Sequence, residues 1–154
     1  MDPRILIALA LSAAPMFSQT DVSKLTPGEV EAVVTTDLGT FRFEFLYKQA
    51  PQHVKHFIQA AREGYYDGGA FHWAKANAAI QGGDPQLKDP STPRERWGSG
   101  GLNLMPTEIN DVKHRRGIVS GFRLLSRKDS DSSQFFICVA PQRGLDGKYS
   151  AFGS

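Results

Sequence analysis

The chain has 154 residues, 40% of them hydrophobic and 22% charged, which is one domain's worth of ordinary soluble globular composition. A formal net charge of +2 is too small for a nucleic-acid-binding surface, and the short runs Arg94-Glu95-Arg96 and Lys113-His114-Arg115-Arg116 read as solvated loop without a basic stripe. The single cysteine, Cys138, excludes an internal disulfide; inside an apolar run it reads as a small buried hydrophobe and not as a catalytic thiol.

In chain order, residues 5–11 form an unbroken apolar run preceded by Arg4 and followed by Ser12-Ala13-Ala14. A basic start, a short apolar centre and small residues predict a secretory signal over residues 1–19, cut after Ala14 or near Ser18. The run is too short to span a bilayer, and nothing later is apolar enough, so the mature protein is expected to be exported, periplasmic or extracellular, with no membrane span. Residues 20–29, polar and containing Pro27-Gly28, read as a linker into a single domain over 30–154.

Residues 30–36 and 40–46 are β-branched or aromatic and are joined by Asp37-Leu38-Gly39, which predicts a hairpin opening an antiparallel sheet. In the second run Phe41, Phe43 and Phe45 alternate with Arg42 and Glu44, the period of a half-buried strand. A helix follows from Ala50-Pro51, where proline's missing N–H does no harm, and ends at Gly64. Val54, Phe57, Ile58 and Ala61 give it one apolar face. His53 and His56 lie on it at i and i+3; with no third ligand in view they read as a solvated face and not as a metal site. Tyr65-Tyr66-Asp67-Gly68-Gly69 is a turn.

The next stretch, Phe71 to Pro85 (FHWAKANAAIQGGDP), organises the rest. The paired glycines after Ile80-Gln81 require a backbone that turns tightly or passes close to another part of the chain, and Phe71, Ala79 and Ile80 suit a half-buried strand. Beyond Pro90 and Pro93 comes Trp97-Gly98-Ser99-Gly100-Gly101, glycine-rich but lacking the Gly-Lys-Ser/Thr of a phosphate loop. Residues 117–121 and 133–140 read as strands, with a polar loop at 128–133 between them. Leu145-Asp146-Gly147-Lys148 reads as a hairpin-like turn.

Two stretches together, FH…QGGD and SQFF…LDGK, resemble the cyclophilin family of peptidyl-prolyl isomerases, of the bacterial exported kind. The resemblance runs from about Val30 to Ser154. It implies a mostly β fold with helix, a cyclophilin-like antiparallel barrel, incomplete at the C-terminus because the family continues past the point matching Ser154 with a strand, a helix and a closing strand. It also implies an isomerase acting on proline-containing polypeptides, with no cofactor or metal, as a monomer.

The same resemblance assigns the site. Trp73 stands where the family has the arginine that donates to the reacting amide; Gln81 matches the glutamine that contacts the substrate backbone; Phe136 matches the floor of the proline pocket. Leu145 and Tyr149 match pocket walls, Tyr149 at a position often His, and Arg123 and Gln134 fall at further substrate-binding positions. Ala78 and Ala79 stand where Phe and Met are usual, Phe122 where Ala is common, and Gly144 where eukaryotic members have Trp. The pocket is thus remodelled, which leaves two readings: an isomerase of reduced activity, or a non-catalytic proline-peptide-binding module. His72 reads as a packed, hydrogen-bonded histidine and not as a base.

Overall fold

The computed structural model describes the backbone of residues 4–8 and the whole of residues 30–101, 105–123 and 131–154. Its strands are β1 (Arg4–Ala8), β2 (Glu31–Thr36), β3 (Gly39–Glu44), β4 (Gly69–Ala70), β5 (Trp73–Lys75), β6 (Ala79–Gly82), β7 (Val119–Gly121), β8 (Phe135–Cys138) and β9 (Ala151–Gly153), with helix α1 (Pro51–Arg62) between β3 and β4. They form two antiparallel sheets, in the orders β3-β2-β1-β4 and β5-β6-β8-β7-β9.

The predicted hairpin is β2–β3, with Thr36 opposite Gly39 and Glu31 opposite Glu44. Beyond β3 the chain joins the second sheet. Glu44 N–H donates to Ser154 O at 2.9 Å, Ser154 N–H returns to Glu44 O at 3.0 Å, and Leu46 N–H donates to Phe152 O at 2.8 Å. The two sheets therefore share one curved wall. Its outer strands, β4 and β5, follow each other in the chain but are not paired with each other among the described residues, so the barrel is open there. Ile5 of β1 lies opposite Thr36 of β2 and Gly69 of β4. Residues 4–8 of the expected signal segment thus occupy a sheet position; its remainder and the linker lie outside the described residues.

Alternation along β3 delivers Phe43 and Phe45 to the interior while Arg42 and Glu44 stay in water. Phe57, from the apolar face of α1, fills the barrel between them: its ring centroid lies 5.5 Å from Phe43, 5.7 Å from Phe45, 4.9 Å from Tyr66 and 5.5 Å from both Phe135 and Phe152. Deleting an aromatic from such a site typically costs about 3–5 kcal/mol, so this cluster is the main tether of helix to sheet.

Ala50 gives α1 no side-chain cap. Its first turn is capped instead from 55 residues away, Glu108 accepting from Gln52 N–H at 3.0 Å and His53 N–H at 2.8 Å. A carboxylate at a helix N-terminus satisfies orphan donors and complements the helix dipole. It also draws in His53, which is buried between Glu108 (Nδ1 to Oε2, 2.5 Å) and Asp131 (Nε2 to Oδ1, 3.1 Å). This corrects the solvated-face expectation for His53; helical spacing places a residue on a face but does not say which loops cover that face.

The second of the paired glycines, just past the end of β6, is explained by close approach. Gly83 has φ of +87° and lies so near the backbone of Ser133 and Gln134 that any Cβ would collide. Another expectation is corrected at Leu145-Asp146-Gly147-Lys148. The turn exists and Gly147 has the positive φ of 69° that Asp-Gly favours. The strands flanking it, β8 and β9, do not pair with each other, because β7 lies between them. Among the described residues no helix is long and apolar enough to cross a membrane.

Candidate functional site

Register across the second sheet builds the site. Trp73 on β5 lies opposite Gln81 on β6, Gln81 opposite Phe136 on β8, and Phe136 opposite Ser120 on β7. Directly paired residues point to the same face, so Trp73, Gln81 and Phe136 form one row across three strands. The adjoining residues Phe135 and Gly82 belong to the opposite face, where Phe135 enters the core. The two phenylalanines of SQFF are thereby divided, one to the core and one to the site.

That row floors a groove of about 560 Å³ lined by Trp73, Lys75, Ala78, Ala79, Phe122 and Phe136, with Gln81, Leu145, Tyr149, Gln142 and the pair Trp97-Gly98 completing it beside His72. Phe136 is buried beneath Tyr149, edge to face at 5.2 Å, with Leu145 and Phe122 packed alongside. The result is an apolar depression edged by the amides of Gln81 and Gln142 and the indoles of Trp73 and Trp97. Trp73 is 45% exposed and so has little packing role.

The predicted site residues largely meet here. Gln134 lies behind Gln81 instead of on the wall. It accepts from Gln81 Nε2 at 2.9 Å and donates to the carbonyls of Gly98, at 2.8 Å, and Gly100. This fixes the orientation of Gln81 and ties it to the glycine-rich loop. Arg123 is turned aside, its Nε donating to Lys148 O at 2.7 Å. Gly144 is not on the wall, and a Cβ there would meet open space.

The glycine-rich loop is no phosphate cradle. Two of its N–H groups are taken by the buried carboxylate of Asp84, from Gly98 at 2.7 Å and Gly100 at 3.3 Å, while those of Trp97 and Ser99 donate to the carbonyls of Arg94 and Arg96. At Gly98, with φ of +81°, a Cβ would fall 3.0 Å from His72 Nε2. His72 is packed as expected, but its buried Nδ1 has no hydrogen-bond partner among the described residues. Burial holds its pKa below the ordinary histidine value, Asp84 opposing only in part, so it is neutral at physiological pH.

Sequence reading missed His114, placed with a solvated basic run. It is buried and stacked under Phe136, ring centroids 6.0 Å apart and planes 20° from parallel. Nε2 meets Ser120 Oγ at 3.0 Å and Nδ1 meets Asp146 Oδ1 at 3.2 Å. The order Ser–His–Asp invites a hydrolytic reading, but Ser120 is fully buried and no substrate carbonyl reaches it. These three groups support the pocket floor. Cys138 is buried next to Ala79, its thiol pushed up to about 11 by burial and the nearby Asp146 charge. It is a packing residue.

No group of three or more His, Cys, Asp or Glu side chains among the described residues is placed to hold a metal ion. Among the described residues, an apolar pocket edged by a Gln81 amide that Gln134 orients, with His72 held neutral and Ser120 and Cys138 buried, has the make-up of a peptide-binding groove on an antiparallel β-sheet wall. The comparisons give that class its family. Residues 32–154 match the family model described as cyclophilin type peptidyl-prolyl cis-trans isomerase/CLD. Over 127 residues the chain is 33% identical to Arabidopsis thaliana peptidyl-prolyl cis-trans isomerase CYP18-2, covering 80% of this chain and 72% of that protein. Over 124 residues it is 36% identical to a Synechococcus elongatus peptidyl-prolyl cis-trans isomerase, covering 80% and 78%. The crystal structure of a Cryptosporidium parvum cyclophilin type peptidyl-prolyl cis-trans isomerase superposes with a TM-score of 0.71 at 30% identity, over 80% of this chain and 75% of that one. The chain belongs to the cyclophilin-type peptidyl-prolyl cis-trans isomerase family, and its reaction class is rotation about X–Pro peptide bonds.

Proposed function

We propose that this chain isomerises X–Pro bonds at a rate below that of an arginine-bearing groove, acting as a monomer on proline-containing segments of folding proteins outside the cytoplasm. Amide resonance opposes the rotation with a barrier of roughly 18–20 kcal/mol. No bond is broken, so a catalyst needs only to bind the twisted amide better than the planar one. Phe136, Leu145 and Tyr149 take the proline ring. Gln81, locked by Gln134, holds the adjoining backbone. Trp73 offers one neutral N–H where a guanidinium fork would offer several charged donors.

The observation that carries this reading is the single row Trp73–Gln81–Phe136, which sets a backbone-binding amide beside an apolar ring pocket. The Cryptosporidium parvum relative has also been crystallised in the presence of the dipeptide Ala-Pro, and that structure superposes on this chain with a TM-score of 0.70 at 31% identity, over 79% of this chain and 75% of that one. Exchange of a short X–Pro peptide followed by NMR is the test. Acceleration by the wild type that falls about tenfold in Gln81→Ala, the loss of one buried hydrogen-bonding group, supports catalysis. Chemical-shift changes at Phe136 and Leu145 without faster exchange would make the protein a binding module, the reading favoured by Trp73, Ala78 and Ala79 together.

Export rests on the apolar run at residues 5–11 with its basic and small-residue flanks. Cleavage removes β1, so β2 and β4 of the mature protein lose their shared neighbour. The expected intact mass of the secreted protein corresponds to a start between residues 15 and 20. A mass that retains residues 4–8 in a soluble product would overturn export by cleavage and assign the run to the sheet.

A further inference from the structure

Among the described residues, Lys75 is the one charged residue lining the groove. It lies two residues beyond Trp73 on β5, hence on the same face, and its direct cross-strand partner is Ala79. A methyl group opposite leaves the lysine stem free to lie over the space above Ala78 and Ala79. Lys75 makes no ion pair or side-chain hydrogen bond among the described residues. Asp146, which follows Leu145 in the chain, is already engaged by the backbone N–H and ring of His114 and lies 3.9 Å from Lys113. An ammonium with no acidic partner, beside an apolar pocket, sets a positive potential where a peptide would lie.

From this we infer that the groove selects proline peptides carrying a carboxylate next to the proline, and that Lys75 is the residue that reads it. The inference rests on the groove binding proline peptides, and it adds a substrate class to that reading. Solvent-exposed ion pairs are modest, but attraction for Glu and repulsion for Lys act in opposite directions on the same site. A Glu-bearing peptide should therefore be favoured over its Lys counterpart by about 3- to 10-fold at low salt, the preference shrinking as ionic strength rises.

The experiment compares otherwise identical X–Pro peptides with Glu, Gln or Lys before or after the proline. Both exchange rate and NMR-titrated affinity are measured, for wild type, Lys75→Met and Lys75→Glu. Lys75 is exposed, so both variants should fold, which their amide spectra check. Preference for Glu in the wild type, its loss in Lys75→Met and its inversion in Lys75→Glu support the inference. Equal handling of Glu and Lys peptides by the wild type overturns it while leaving isomerisation intact. A Glu preference that survives Lys75→Glu also overturns it, by placing the determinant elsewhere. Binding without faster exchange leaves selectivity readable from affinity and fails only the isomerase reading; no binding of any peptide defeats both.

Discussion

Trp73→Arg should raise the rate of X–Pro exchange by about 10²-fold. The position is already correct: residue 73 shares a row with Gln81 and Phe136 and lines the same groove. With 45% of Trp73 exposed, replacing it removes little packing, so folding should be almost unaffected. A guanidinium adds charged, forked donors to an amide whose nitrogen gains electron density as it twists. Losing one such donor typically costs about 10²–10³ in rate, and regaining it should recover a similar factor. The gain should fall on kcat more than on KM, because the new bond forms chiefly to the twisted state. A folded Trp73→Arg variant that binds peptide without any gain would show that Ala78, Ala79 and Phe122 have moved the proline out of line with β5.

The second large effect concerns stability and not catalysis. His53→Leu keeps much of the side-chain volume but leaves the buried Asp131 and the largely covered Glu108 without their shared imidazole. Thr107 Oγ1 still donates to Asp131 at 2.7 Å, but a hydroxyl does not balance a charge. Breaking one side of a buried ionic network typically costs about 3–5 kcal/mol, measurable as a lower urea midpoint at unchanged slope.

The same network has a pH signature. Burial by itself would lower the His53 pKa, but hydrogen bonds and charge from Asp131 and Glu108 outweigh it and hold it above the ordinary 6.5. A raised folded value means that His53 contributes stability fully below 6.5, lost as pH rises through the raised value. For Glu108 burial would raise the pKa, but the His53 contact and two backbone N–H groups bring it below the ordinary 4.5. Its contribution is full above 4.5 and lost as pH falls through the lowered value. Both are therefore complete between 4.5 and 6.5. His56, His72 and His114, held low chiefly by burial, act in the opposite direction just below 6.5. The His53 contribution is accordingly read as the difference between wild type and His53→Leu across pH. A difference that does not shrink above the histidine range would mean that the imidazole is neutral and merely fills space.

By itself the sequence determined the local elements and, through two motifs, the family and most of the groove. The alternation of Phe41, Phe43 and Phe45 and the helical spacing of Val54, Phe57, Ile58 and Ala61 are nearest-neighbour geometry, readable because strand and helix periods are fixed by the backbone. Gln81 and Phe136 were legible because FH…QGGD and SQFF carry them at positions that pair across β6 and β8. Lys75 left a usable signal as well, since period two from Trp73 puts it on the same face. Tertiary structure alone decided what covers each face. His53 and His114 look like surface residues in one dimension, but remote carboxylates, Glu108 and Asp131 for one and Asp146 for the other, close over them. It also decided that β7 comes between β8 and β9, and that Gly98 and Gly100 of the glycine-rich loop spend their N–H groups on Asp84. Such partners are tens of residues apart in the chain. No local period encodes them, because the free energy that joins them exists only once the barrel has brought them together.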